Sequence, residues 1–248
     1  MKTKELTICG LAAVRARFES DAASILRLFF DAPTGRKIGA MCKALAAARK
    51  VYRCVESAEL AKVAGSIHHG GIVAVVSAPA LKNPGLAEVK AWAAQRQPLL
   101  ILDRIGNAHN LGALVRTAAH LGVDHIVITD SPESARPNDA AYRVAEGGME
   151  RVTVWAARDL VRLVGDLRAA GYVVVAAAPR GGHPQSARAP DQAAALVMGN
   201  EEHGIAPKVV AACTRQVTIP GTGAVESLNV SVAGAILMWE LFGKSSSQ

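Results

Sequence analysis

An α/β fold with a mostly parallel sheet, preceded by a smaller αβ module, is what this chain predicts, and three observations predict it. From Leu86 onward, helical and strand-like stretches alternate. The strand-like stretches are short, continuous and rich in Val, Ile and Leu, so both faces of the sheet they build need helical cover. The basic charge, finally, sits at one end. Residues 1–78 carry twelve Lys/Arg and six Asp/Glu, a balance of +6, against sixteen and fifteen, or +1, over residues 79–248. At 248 residues the chain can hold one large or two small domains with proper cores.

The first module opens with a strand at Leu6–Cys9, a turn at Gly10 and a helical stretch over Leu11–Glu19. Ser24–Phe30 reads as a strand, Lys37–Arg49 as a helix and Val51–Val55 as a strand. Ala58–Val63 gives a short helix, and His68-His69-Gly70-Gly71 leads into the strand Ile72–Val76. Pro79 and Asn83-Pro84-Gly85 mark Ala78–Gly85 as a linker. The excess of cations in residues 1–78 suits a polyanionic partner.

Beyond the linker, a helix at Leu86–Gln95 leads to the strand Leu99–Leu102, and a helix at Leu111–Leu121 to the strand His125–Thr129. Then come a strand at Val152–Trp155, a helix at Ala157–Ala169 and strands at Tyr172–Ala177 and Ala194–Met198. Pro207–Ala212 is helical, and Gln216–Ile219 is the last strand before a closing helix that runs from Leu228 to Phe242. That helix is apolar nearly all round, with Ala233, Gly234 and Ala235 in its middle, which predicts close packing. Only the Ser245–Gln248 tail reads as disordered.

Cys9, Cys42, Cys54 and Cys213 are scattered, with no CxxC and no histidine at metal-ligand spacing. They read as reduced cytosolic thiols, with neither disulfide nor metal expected. No run is long enough to span a bilayer and no signal peptide opens the chain, so a cytoplasmic protein without membrane attachment is expected.

Ligands of open α/β sheets gather at the carboxyl ends of the strands. Three polar, glycine-bearing loops fall there. Asp103–Asn110 follows the first strand of the main sheet, with Gly112 and Arg116 one turn on. Gly199-Asn200-Glu201-Glu202-His203-Gly204 follows the fifth. Ile219-Pro220 through Ser227 and Asn229 follows the last. Ser227 suits a helix cap, and Asn229, a second polar side chain in an apolar first turn, needs a partner. Gly221-Thr222-Gly223 begins like a dinucleotide fingerprint, but Glu226 stands where the third glycine belongs, and no second strand follows. Glu201–Gly204 lacks the Gly-Lys-Ser/Thr ending of a phosphate loop, and no nucleophile elbow is visible.

Together the three loops resemble the SpoU/TrmH-type RNA 2′-O-methyltransferases of the SPOUT superfamily. Asn110-Leu-Gly112-Ala-Leu-Val-Arg116 is similar to the first motif of that family, Gly199-Asn-Glu201-Glu-His-Gly204 to the second, and Ile219-Pro220 through Ser227-Leu228-Asn229-Val230-Ser231 to the third. The order and spacing match over residues 99–242. Residues 1–78 resemble the L30e-like RNA-binding module of many members, with His69-Gly70-Gly71-Ile72-Val73-Ala74 matching a His-Gln-Gly-Ile/Val-Ala segment except at Gly70. Ala108 is a second departure, standing where the first motif often has proline.

The resemblance implies a main domain at 97–244 knotted as a deep trefoil, against the general rule, with 79–96 as linker and leading helix. It implies bent S-adenosylmethionine held by the backbone at Gly199, Gly204, Ile219, Pro220 and Leu228, beside Asn229. It also implies an rRNA or tRNA ribose as acceptor and a homodimer. The resemblance gives Arg116, with help from an RNA phosphate, the task of taking or steering the hydroxyl proton. Because a guanidinium with a pKa above roughly 12 is a poor base, clamping a phosphate is an equal role for it. Ser227 and Asn229 would bind ribose or cofactor, Asn110 is a further catalytic candidate, and Glu201 would anchor Arg116 or its own loop. His109 and His203 are alternative bases, or simply exposed loop residues. The rival functions are a non-catalytic RNA-binding protein with this fold and methylation of a base.

Overall fold

Among residues 4–178 and 192–243, which the computed structural model describes, the strands assemble into two sheets. The tail from Ser245 lies outside these residues. In the first module, β1 (Glu5–Cys9) turns at Gly10, whose φ of 89° only glycine adopts readily, into α1 (Leu11–Asp21). β2 (Ile25–Phe30), α2 (Ala32–Gly35), α3 (Gly39–Ala47), β3 (Val51–Cys54), α4 (Ser57–Ala64) and β4 (Ile72–Ser77) follow. The sheet order is β1-β4-β2-β3; β4 runs antiparallel to both neighbours and β3 parallel to β2 at the far edge. Gly70 has a φ of 58°, so the residue that replaces glutamine in the family segment occupies a left-handed turn.

The main sheet has the order β10-β8-β9-β5-β6-β7, and every pairing in it is parallel. In chain order it is built from α5 (Leu86–Ala94), β5 (Leu99–Asp103), α6 (Ala108–Leu121), β6 (His125–Thr129), α7 (Asp139–Ala145) and β7 (Thr153–Ala157). Next come α8 (Leu160–Ala169), β8 (Val173–Ala177), β9 (Ala194–Gly199), α9 (Pro207–Ala212), β10 (Arg215–Val217) and α10 (Val230–Phe242). The continuous apolar strands do face two ways. Leu100 and Leu102 of β5 join the core under α6, α7 and α10, while Leu99 and Ile101 join the one under α5, α8 and α9.

Several boundaries differ from the sequence reading for local reasons. α6 begins at Ala108, not Leu111, because the Asn107 side chain accepts the N–H groups of His109 and Asn110. Ala108 is therefore the first helical residue, a position that favours but does not require proline. α8 begins at Leu160 behind the Asp159 cap, which frees Ala156 and Ala157 for β7. The last strand ends at Val217, leaving Ile219 and Pro220 in the loop. α10 begins at Val230, with Asn229 rather than Ser227 as its cap. α7 went unread; it lies between its cap Asn138 and Glu146 at a φ of 44°.

The first module docks firmly on the main domain, and the linker is pinned. The Lys82 carbonyl accepts from Ala156 N–H, and Asn83 Oδ1 from Arg158 N–H. Leu6, Ile8 and Val14 lie in the same core cluster as Leu111 and Tyr142. Thr7 N–H donates to Asp139 Oδ1 at 3.0 Å. Arg17 Nε lies 2.9 Å from Glu150 Oε2, the two side chains only 8% and 4% exposed, and Arg17 Nη2 donates to Tyr142 Oη at 2.9 Å. Burial pushes the Glu150 carboxyl above the usual carboxylate range, and the Arg17 guanidinium pulls it back. Arg17→Ala leaves a buried, unpaired carboxylate and is expected to cost about 3–5 kcal/mol. The double variant Arg17→Ala/Glu150→Ala is expected to lose less than the sum of the two single losses. Urea titrations of the four proteins check this; strictly additive losses would show that the pair does not couple the two parts.

Candidate active site

A buried carboxylate organises the site from below. Asp103 closes the apolar run of β5 and is 3% exposed, so its charge needs partners. It accepts the Ala206 N–H at 2.7 Å through Oδ2, and a two-pronged contact from Arg104 at 3.0 and 3.2 Å. This pairing raises the Arg104 pKa further. Arg104 sits at a φ of 56°, and its carbonyl accepts from Asn200 Nδ2 at 2.8 Å. Asn200 Oδ1 in turn accepts the N–H groups of Glu202 and His203, while Asn200 and Gly204 exchange backbone bonds at 3.1 and 2.9 Å. The loop after β9 is thus folded back and held from β5. Sequence reasoning did not single out Asp103 or Asn200; the signal was an acid ending the buried run Leu99-Leu-Ile-Leu102.

Gly199 permits this fold-back. A Cβ there would lie 2.2 Å from Ile205 N and 2.3 Å from the Gly204 carbonyl carbon. Gly204 itself has a φ of 66°. Opposite this loop, the chain leaving β10 runs through 218–229, and between the two lies an open cleft of about 1080 Å³. Gly199, Gly204, Ile219, Pro220, Ser227 and Leu228 all line it. Ser227 is exposed in the loop and Leu228 is partly open to solvent.

At the cleft mouth, three polar residues from the three loops form one chain of hydrogen bonds. Glu201 Oε1 accepts from Asn110 Nδ2 at 2.7 Å, and Asn110 Oδ1 accepts from Asn229 Nδ2 at 3.2 Å. Asn229 Oδ1 accepts from Ser231 N–H and from Ser231 Oγ at 2.9 and 2.6 Å. Asn229 is therefore both the helix cap and a member of the site. Glu201 Oε2 also faces the Gly106 N–H at 3.5 Å, so its partners are Asn110 and the loop after β5 rather than Arg116.

Arg116 is not brought to this group within one chain. Its Nη2 lies 3.0 Å from Glu146 Oε2 at the end of α7, and both side chains are exposed. His109 and His203 are exposed, and neither bonds to the Glu201–Asn110–Asn229 chain among the described residues.

Comparison with known proteins places this arrangement. Residues 97–239 match the model of the SpoU rRNA Methylase family. The chain belongs to that family. Residues 7–81 match a second model, described as RNA 2′-O ribose methyltransferase substrate binding. A protein of Escherichia coli O157:H7 called "Uncharacterized tRNA/rRNA methyltransferase YfiF" is 33% identical over 96% of this chain and 68% of its own. The 23S rRNA (guanosine-2′-O-)-methyltransferase RlmB of Ralstonia nicotianae is 33% identical over 96% of this chain and 95% of its own. The AdoMet-bound rRNA methyltransferase of Sinorhizobium meliloti superposes with a TM-score of 0.78 at 22% identity, covering 96% of this chain and 87% of that one, which establishes the shared fold.

Proposed function

We propose that this SpoU-family protein transfers a methyl group from S-adenosylmethionine to a ribose 2′-hydroxyl of rRNA or tRNA in the cytoplasm, as a homodimer and without a metal. The Glu201–Asn110–Asn229 chain at the mouth of a glycine-walled cleft carries the reading. The cleft fits the donor: it is large enough for a nucleoside-sized ligand, and it brings backbone and small side chains close at Gly199, Gly204 and Gly221. In this reading the loops at Gly199, Ile219 and Leu228 hold the donor, and the linked amides steer the ribose. The relatives named as rRNA and tRNA methyltransferases support the RNA substrate.

When bound, S-adenosylmethionine supplies an electrophilic methyl carbon. The chain's own residues supply alignment, which matters because displacement at carbon requires an in-line approach. Asn110 and Asn229 are fixed at both ends of their hydrogen-bond chain, so they meet a ribose without reorganising. Arg116 clamps an RNA phosphate beside the hydroxyl, and that phosphate oxygen takes the proton and passes it to solvent. Residues 1–78 recruit the RNA and 97–244 carry the chemistry, joined by 79–96.

Two further features support parts of this reading. After β10 at one edge of the sheet, the chain returns across β8 and β9 so that α10 packs on α6 and β9, the kind of return path that a trefoil threading takes. Val232, Ile236 and Trp239, the last 64% exposed, form an apolar stripe on the outer side of α10, and such a stripe suits a two-fold contact. Titration calorimetry with S-adenosylmethionine is expected to show binding in metal-free buffer with chelator present, and tritium from labelled donor is expected in the ribose of rRNA or tRNA. No heat with or without RNA would overturn the proposal; RNA binding without transfer would indicate the non-catalytic binder.

A further inference from the structure

The first module is docked by its β1 edge, which leaves β3 as the outer edge of the sheet, three strand spacings or about 14 Å away. All four residues of β3 are exposed. Tyr52 is paired in register with the buried Leu28, so it lies on the sheet face covered by α3, yet 39% of it is open to solvent, with Val51 beside it. From Ala32 to Val55 the chain carries Arg36, Lys37, Lys43, Arg49, Lys50 and Arg53 and no Asp or Glu at all. Lys50 is used structurally, its Nζ donating to the Ala22 and Ala23 carbonyls. Arg36, Lys43, Arg49 and Arg53 are exposed and make no ion pair among the described residues. An exposed tyrosine flanked by uncompensated cations on a free edge is suited to a partner that offers flat rings and regular negative charge.

We infer that the α3–β3 edge is the RNA-anchoring surface of the first module, with Tyr52 stacking on an unpaired base while Arg49, Arg53 and Lys43 contact phosphates. The inference rests on the proposed RNA methylation and specifies which RNA feature is read. In an A-form duplex the base faces are hidden in the stack, whereas a loop or bulge exposes them. A tyrosine ring therefore selects unpaired nucleotides, and the cations add a sequence-independent term. The density of positive charge along this edge disfavours strand addition by a neutral or basic peptide and matches a polyanion.

The test compares the full-length wild type with Tyr52→Ala, Tyr52→Phe and Arg49→Ala/Arg53→Ala. Fluorescence anisotropy follows binding to a labelled RNA hairpin with an unpaired loop and to a blunt RNA duplex of the same stem. Tyr52→Ala is expected to bind the hairpin about 5- to 150-fold more weakly, the range that loss of one base–aromatic stack gives, with little change on the duplex. Tyr52→Phe keeps the ring and is expected to bind like wild type. Arg49→Ala/Arg53→Ala is expected to weaken both RNAs and to flatten the slope of log K against log salt by about 0.7 per lost phosphate contact. Unchanged hairpin affinity in Tyr52→Ala overturns the inference, as does equal weakening on hairpin and duplex. Retained RNA binding with loss of a protein partner points to strand addition and overturns it too. Each variant is checked for an unchanged melting curve and unchanged S-adenosylmethionine binding. Wild type that binds neither RNA would instead count against the RNA substrate itself, so the two failures are told apart.

Discussion

Arg116→Ala and Asn229→Ala, each expected to be about two orders of magnitude or more below wild type alone, are expected to regain up to about a quarter of wild-type activity when mixed and allowed to exchange subunits. The reasoning begins on α6. Asn110 and Arg116 are six residues apart, which on an α-helix is a rise of about 9 Å and a rotation of about 240°. The two side chains therefore leave the helix on different sides. Asn110 points to Glu201 and Asn229, and Arg116 to Glu146 at the end of α7. An exposed pair such as Arg116–Glu146 is readily exchanged for another partner. The apolar stripe of Val232, Ile236 and Trp239 lies on α10, which packs directly against α6. The composite site requires a second copy seated there to present its own Arg116 to the cleft. Random exchange makes half of all dimers mixed, and each mixed dimer has one of its two composite sites intact. A mixture that stays inactive, although native mass spectrometry shows heterodimers, would mean that each chain builds its own site.

Gly199→Ala is expected to abolish measurable S-adenosylmethionine binding and to destabilise the main domain by about 1–3 kcal/mol, the range of overpacking at a tight site. The added methyl would meet the backbone at Ile205 and Gly204 at 2.2 and 2.3 Å, and backbone cannot swing aside as a side-chain tip can. The loop would have to leave β9, and with it go the bonds that Asn200 and Asp103 make. Gly165→Ala is the matched control. It makes the same chemical change inside α8, where a Cβ meets nothing within 4 Å, and it is expected to stabilise by about 0.5–1 kcal/mol. Thermal melts and titration calorimetry on both variants decide the matter. Cofactor binding unchanged in Gly199→Ala would show that the fold-back is not what shapes the cleft.

How much of this was legible in the sequence depends on where each signal resides. The parallel sheet was legible because runs such as Leu99–Leu102 and Ala194–Met198 are apolar on both faces, which only a doubly covered strand tolerates. The convergence of Asn110, Glu201 and Asn229 was legible once the three loops were placed at strand ends. Helix starts were less legible, because Asn107 and Asn229 look like any loop asparagine until their side chains are seen accepting N–H groups. Asp103 and Asn200 act through bonds to residues up to a hundred positions away, and no local pattern carries that information. The docking of the first module was hidden for the same reason. Arg17, Tyr142 and Glu150 are ordinary residues in sequence, and only the fold makes them neighbours.

The hydrogen-bond chain at the cleft mouth has a direction. Glu201 can only accept at one end and the Ser231 N–H can only donate at the other, so both asparagine amides between them are forced into a single orientation. Replacing Asn229 by aspartate exchanges one nitrogen for one oxygen and leaves shape almost untouched. Asn110 would then have to rotate its nitrogen towards the new carboxylate, which turns its oxygen onto Glu201. Two acceptors 2.7 Å apart cannot remain so, and one of the two contacts of Asn110 is lost. The way an amide faces on one loop is thus set by the identity of a single atom on another.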